Sequence, residues 1–291
     1  MMIGLLFNCI DIDVYNLPIG KPGQVELRVN LVVNTRNGNS ATLKDIVDAA
    51  RGKRFVFVGE SHDNPDTHRW QADIIGALSD AGRRVIVGLE MYTRPKQHFM
   101  NLWTLGKLSE EDFIERSDWK GQWGFDYALY RPIFDVVNSR RLRLVGLNIP
   151  RDWVRAVGRG GYDALPDDAK KELPSLYLDN KEHRLVFDAL MGGHPIASPN
   201  VYAAQVLWDE GMADTAIKYL GKTSVTDNTV FVVIAGNGHT MYGQGINYRI
   251  KRRTGLDGVT VATVDIPKEK QSLKVARGIG DFVIGVTSTQ Q

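Results

Sequence analysis

The 291-residue chain contains a single cysteine, Cys9. One thiol cannot close an intrachain disulfide, nor build a cysteine-based zinc or iron–sulfur site within one chain. Any metal would have to be held by His, Glu, Asp or Tyr. The chain also lacks a run of about 18 apolar residues, so no segment reads as a bilayer-spanning helix. Charge of one sign is scarce: 36 Lys and Arg stand against 34 Asp and Glu, a formal charge of +2. A field that weak directs the chain to neither nucleic acid nor a membrane surface. The apolar start, MMIGLLFNCIDID, has no basic n-region and makes a poor signal peptide as written. A lipoprotein start would need a small residue before Cys9, and Asn8 stands there.

What the chain has is alternation of strand-like and helix-like segments. QVELRVNLVVN (24–34) alternates as a half-buried strand does, and the Asn-Gly turn that follows predicts an N-terminal hairpin or edge extension over 1–50. RFVFVG (54–59), RVIVGLE (84–90), RLVGLN (143–148), TVFVVIAG (229–236) and GVTVATV (258–264) are short, β-branched and almost continuously apolar. Such runs are expected of parallel strands covered on both faces. They predict an α/β fold, a mostly parallel sheet flanked by helices, built from 51–94, 140–160 and 225–291. Between the first two runs, Asn64 is placed to cap a helix, Pro65 suits its first turn and Gly82 its end. Trp70, Ile74, Ile75 and Leu78 form its packing stripe. The long gaps at 95–139 and 161–224 exceed ordinary crossovers and predict helical insertions that form a lid or subdomain.

Ligands of open parallel sheets sit outside the carboxyl ends of the strands. The residues there are Gly59-Glu60-Ser61-His62, then Glu90-Met91-Tyr92, then Asn148 with Pro150 and Arg151, then Gly236-Asn237-Gly238-His239. Two of these groups share the pattern G-x-x-H, in which glycine lets the chain turn sharply and the imidazole aim back over the sheet. His62 and His239 with Glu60 and Glu90 could make a mixed nitrogen and oxygen site for zinc, manganese or iron. Equally, one histidine could be a general base oriented by a glutamate. Spacing does not choose between these.

Each residue also has a plainer reading, since strand-end loops are polar in general. His68 reads as a helix-surface residue as readily as a ligand contact, and His98 and His183 sit among polar helical neighbours that predict surface. His194, in the loop MGGHPIASPN, is placed to reach a ligand. Trp119, Trp123, Phe125, Tyr127 and Tyr130 crowd one short segment, as either an insertion core or a flat wall for a ring-shaped ligand. NVYAAQVLWDEGMADTAIKYL reads as one long helix on which Gln205 and Asp209 are the pair expected to face the site.

The pieces VGESHDNPDTHRWQ, LEMYTRPKQ, YRPIFDVV, LVGLNIPRDW, AAQVLWDEGMADTAI and VIAGNGHTMYGQGI, in this order over roughly 50–255, resemble the ChaN-like family. That group is haem-binding and associated with iron uptake, within the wider Tiki and erythromycin-esterase-like superfamily. The resemblance implies a parallel-sheet domain beside a smaller helical one, haem at a homodimer interface, and a tyrosine oxygen on the iron. Tyr92, Tyr130, Tyr202 and Tyr242 are candidates for that oxygen, and none matches a motif position. The family also implies an exported or lipid-anchored protein, for which the start of this chain carries no clear signal.

Two functions follow as expectations. A haem-binding site needs an apolar slot, an axial Tyr or His, and cations for the propionates, which Arg94, Arg151 and Arg155 could supply. Arg151, His194, Gln205, Asp209 and Tyr242 are the candidate cofactor contacts. The wider superfamily implies instead a hydrolase, with or without metal, that uses Glu60, His62, Glu90 and His239, with Arg151 and His239 on the developing anion. A scaffold with an idle crevice is the third possibility.

Overall fold

A computed structural model describes residues 12–192, 198–221 and 228–289. His194 and Cys9 lie outside the described residues. The stretch read as one strand over 24–34 divides at Asn30, which takes the left-handed φ of 60°. Its halves, β1 (Gln24–Leu27) and β2 (Val32–Asn34), enter different sheets. The Asn37-Gly38 turn, with Gly38 at φ 81°, returns the chain to β3 (Ser40–Ala41), antiparallel to β2. Thr42 and Asp45 then form a reciprocal capping box at α1 (Leu43–Ala49).

The five apolar runs become strands. They are β4 (Phe55–Glu60), β5 (Arg84–Thr93), β6 (Arg143–Asn148), β7 (Thr229–Gly236) and β8 (Gly258–Ile266). Between β4 and β5 runs α2 (Pro65–Asp80), capped by the Asn64 side chain as its sequence predicts. Between β5 and β6 lie α3 (Gln97–Thr104), α4 (Glu110–Arg116), α5 (Trp119–Gln122) and α6 (Tyr127–Ser139). Between β6 and β7 lie α7 (Arg151–Gly160), α8 (Asp167–Glu172), α9 (Lys181–Leu190) and the long α10 (Pro199–Leu220). The helix α11 (Ile246–Thr254) precedes β8, and the segment beyond 265 adds β9 (Leu273–Ala276) and β10 (Phe282–Thr287).

The main sheet has the order β3-β2-β10-β8-β4-β7-β5-β6. From β10 to β6 every pairing is parallel, and β2 and β3 close one side antiparallel. A separate antiparallel pair joins β1 to β9. Alternate residues of a strand point to opposite faces. Accordingly Val56, Val58, Val87 and Val232 pack on the side of α2 and the helices between β5 and β6, with Ile74, Tyr130 and Phe134. Phe55, Phe57, Phe231 and Val233 pack on the other side with Met212, Ala213 and Ala216 of α10 and Ile250 of α11. Burying each such phenylalanine contributes roughly 1.5–3 kcal/mol. The helices between β5 and β6 thus lie on one face and α10 on the other, and Arg151 of α7, which follows β6, donates to the Gln122 carbonyl of α5 at the carboxyl rim.

Register decides what shares that rim. Glu60 stands opposite Gly236 in the β4–β7 pairing, and Leu89 opposite Ile234 in the β5–β7 pairing. Both glutamates and the G-x-x-H turn after β7 therefore end at one level.

Candidate functional site

Glu60, the last residue of β4, is buried at 2% exposure and carries a full set of partners. Its Oε1 lies 2.9 Å from His62 Nδ1 and accepts from the Tyr130 hydroxyl at 2.8 Å, while Oε2 accepts from Gln71 Nε2 at 2.9 Å. A buried carboxylate without such donors would cost several kcal/mol. His62 itself is the accessible member: its side chain is 36% exposed. The edge of Trp123 meets its ring at 4.8 Å between centroids and Phe125 flanks it at 5.5 Å. No hydrogen bond to its Nε2 is made among the described residues.

Across the β7 end lies the second imidazole. Glu90 Oε2 accepts from the Gly236 N–H at 2.7 Å, and Glu90 Oε1 lies 3.3 Å from His239 Nε2. The other ring nitrogen, Nδ1, donates to Asp209 Oδ1 at 2.6 Å. Asp209 in turn accepts from His183 Nε2 at 2.9 Å, and the Arg249 guanidinium lies 3.4 Å from the same carboxylate. Gly236 separates the two halves with nothing to spare: a Cβ there would sit 2.7 Å from His62 Cε1 and 3.7 Å from Glu90 Oε2. His62, bonded to Glu60, and Glu90, paired with His239, thus both border Gly236.

The charges follow from this arrangement. Burial works against a cationic His239, but Glu90 and Asp209 outweigh it and push its pKa up to about 10. Burial likewise opposes charge on His62, and the Glu60 hydrogen bond with the Glu90 charge lifts it above the ordinary imidazole value. Although burial pushes the Glu90 carboxyl up, His239, His62 and the Gly236 N–H hold it below the usual carboxylate range. Burial beside Glu60 drives the Tyr130 hydroxyl far above an ordinary tyrosine, so it stays protonated.

Of the residues selected from sequence, Glu60, His62, Glu90, His239 and Asp209 are joined by these contacts, and the Gln205 amide lies 3.1 Å from His239 Nδ1. Arg151 stands at the start of α7 with its guanidinium on the Gln122 carbonyl. Tyr242, in a strained turn at φ 59°, gives its hydroxyl to the Val14 carbonyl and receives the Leu17 N–H, packing with Leu17 and Val264. Arg94 is held by Glu172, Asp214 and Thr215. Among the four tyrosines considered for an iron ligand, each is buried with its hydroxyl engaged: Tyr92 by Ser117, Tyr130 by Glu60, Tyr202 by His183 and Tyr242 by Leu17.

Two expectations from sequence are corrected. His183, read as a surface residue, is 1% exposed, because Asp209 and Tyr202 draw it inward despite charged chain neighbours. His68 is fully buried, stacked 3.9 Å from the Tyr130 ring, with Nδ1 3.0 Å from Gln71 Oε1 and Nε2 3.2 Å from the His62 carbonyl. At the rim His62 has one nitrogen committed to a carboxylate and His239 has both. Among the described residues no group of three or more His, Cys, Asp or Glu is disposed to hold a metal ion. For an iron porphyrin the fit is different, since it needs one donor and an apolar border. His62 offers the donor, and Phe125 at 36% exposed and Leu190 at 45% exposed offer apolar surface, Leu190 packing against Gly238 beside His239. These residues fit a nitrogen-ligated haem better than a tyrosinate-ligated one.

The family described as "Haem-binding uptake, Tiki superfamily, ChaN" matches residues 46–250. Among solved structures, the chain is similar to that titled "Cofacial heme binding to ChaN of Campylobacter jejuni", at 18% identity and a TM-score of 0.66, over 88% of this chain and 98% of that one. It also overlaps a mutant of the erythromycin esterase EreC in its open conformation, at 11% identity and a TM-score of 0.47, over 86% of this chain and 83% of the other. No curated protein matches the chain. The match over 46–250 spans more than half of the chain and shows its family: the chain belongs to the ChaN family of the Tiki superfamily, described as haem-binding uptake.

Proposed function

We propose that this protein binds haem at the carboxyl rim of the sheet and serves haem capture for iron uptake. One observation carries the reading: His62 stands half-exposed, its Nδ1 fixed by buried Glu60, its Nε2 without a partner among the described residues, and its ring bordered by Trp123 and Phe125. Bound haem would supply an iron centre that accepts one axial donor. The chain's own contribution is to hold His62 in a single orientation, since a ligating imidazole is aimed by whatever its other nitrogen binds. Trp123, Phe125 and Leu190 provide surface for the porphyrin, and propionates would compete with the Gln122 carbonyl for exposed Arg151 and with Asp152 for exposed Arg155. The exposed apolar side chains Phe125, Leu190 and Met191 also favour a homodimer that covers this rim. Titration of the purified protein with haemin should give a saturable Soret band, and His62→Ala should weaken binding at least tenfold. A wild-type protein without saturable binding would remove the reading.

A second reading, hydrolysis assisted by His62, is favoured by His239 alone. A cationic ring clamped between Glu90 and Asp209 is a fixed positive charge for the negative charge that develops on a substrate oxygen, opposite a histidine placed to activate water. Arg151 is engaged by Gln122, so in this scheme the anion falls to His239. Ester and amide substrates assayed with wild type, His62→Ala and His239→Ala decide it: turnover that survives both substitutions sinks the scheme.

A further inference from the structure

The Tyr130 hydroxyl sits where three groups of the rim converge. The Trp123 indole N–H donates to its oxygen at 2.8 Å. Its single proton is left to face Glu60 Oε1 at 2.8 Å, with the His62 carbonyl at 3.0 Å. Glu60 Oε1 is the same oxygen that takes the His62 Nδ1 proton at 2.9 Å. The ring cannot swing away, because His68 stacks on one side at 3.9 Å and Trp119 meets it edge-on at 5.2 Å. Tyr130 is 1% exposed and so has no water to bond instead.

Two donors on one carboxylate oxygen compete for its charge. Each proton that Glu60 accepts from elsewhere weakens its pull on Nδ1–H, and the strength of that pull sets how electron-rich the far nitrogen of the imidazole becomes. The indole N–H on the tyrosine oxygen polarises the hydroxyl and strengthens its share.

We propose that Tyr130 is the positioning residue of this site: by donating to Glu60 Oε1 it limits that carboxylate's hold on the His62 Nδ1 proton, and so moderates the donor strength of His62 Nε2. The inference rests on the reading above only in taking His62 as the working group, and it holds whether Nε2 meets iron or water.

The test uses the full chain without haem, so its failure is distinct from a failure to bind haem. Acylation of His62 by diethyl pyrocarbonate, followed by mass spectrometry of the His62 peptide, reads the nucleophilicity of Nε2. The rate is taken on its alkaline plateau, where the ring is neutral and titration does not enter. Tyr130→Phe should raise the plateau rate about threefold, the effect of about one unit of basicity at a Brønsted slope near 0.5. In a Glu60→Gln background the same substitution should change nothing. A 3-fluorotyrosine at position 130 alone, a stronger donor of nearly the same shape, should slow acylation, which a purely structural role would not produce. If Tyr130→Phe fails to fold, the fluorotyrosine result decides alone. An unchanged plateau in folded Tyr130→Phe, a threefold rise that persists without Glu60, or a fluorotyrosine protein that is not slowed each overturns the proposal.

Discussion

His239 Nδ1 lies 2.6 Å from Asp209 Oδ1, a contact between the turn after β7 and the middle of α10, with both residues below 10% exposure. It joins the rim to the interior. Asp209 is at once the anchor of His239, the acceptor of His183 and the counter-charge of Arg249. Burial alone would raise its carboxyl, but Arg249, His239 and His183 hold it far below the usual carboxylate range.

Asp209→Asn should therefore be among the most damaging single substitutions. It leaves Arg249, itself 1% exposed, without its nearest carboxylate and removes one of the two charges, beside Glu90, that keep His239 cationic. Breaking a buried pair from one side costs about 3–5 kcal/mol. Urea unfolding followed by circular dichroism measures it, and a loss below about 1 kcal/mol would contradict the role assigned to this carboxylate.

Stability should fall as the solution becomes alkaline. The His239 pKa is raised from 6.5 to about 10, so the folded state binds this proton more tightly than the unfolded chain. That contribution is fully present below pH 6.5 and disappears as pH rises through about 10. Within the window the loss is up to about 1.4 kcal/mol per pH unit. His183 runs the other way: burial depresses it, and the part of its environment that favours the neutral ring is lost as the solution turns acid. A series of urea midpoints should show the alkaline limb in wild type and a shallower one in His239→Gln.

The sheet was legible because parallel strands leave long apolar runs, and β6 and β7 coincide with the runs read from sequence. Glu60, His62, Glu90 and His239 were legible too, because each stands at or just past a strand end and register brings those ends to one level. The burial of His68 and His183 and the bond from Tyr130 to Glu60 escaped for a common reason. His183 is flanked by Lys181, Glu182 and Arg184, which signal solvent, and the partners that bury it stand 19 and 26 residues onward. Helical periodicity says which face a residue takes, not whether a carboxylate waits there. FVIGVT in β10 carried a strand pattern of its own, and its parallel pairing with β8 was missed because no α-helix lies between them. The split of 24–34 turned on one left-handed residue, Asn30, which alternation cannot reveal.

Arg249→Met tests the interior side of the same network. The guanidinium donates to the Gln244 and Gly245 carbonyls at 3.0 and 2.9 Å and stands beside Asp209 and Glu210. Methionine fills the space but takes a cation away from two buried carboxylates. Burial already raises the Glu210 carboxyl, restrained by Arg249 and Arg252. The substitution should cost about 3–5 kcal/mol in urea unfolding, and haem affinity should fall as the loop that carries His239 loosens.

Gly236→Ala separates the site from the fold. Its backbone N–H would still serve Glu90, and β7 would still pair with β4, because neither bond involves the side chain. The new methyl, however, would lie 2.7 Å from His62 Cε1, closer than carbon atoms tolerate, and Glu90 on the other side is buried and cannot yield. His62 is the part that can move, being 36% exposed, and to move it must release Glu60 or the contact with Trp123. Overpacking of this kind costs about 1–3 kcal/mol, and here it falls on the imidazole's orientation. Haemin titration of Gly236→Ala should show binding weakened by about tenfold or more, with the urea midpoint lowered only by the amount that this cost implies. If haem binds the alanine protein as tightly as wild type, His62 is not the group that the glycine makes room for.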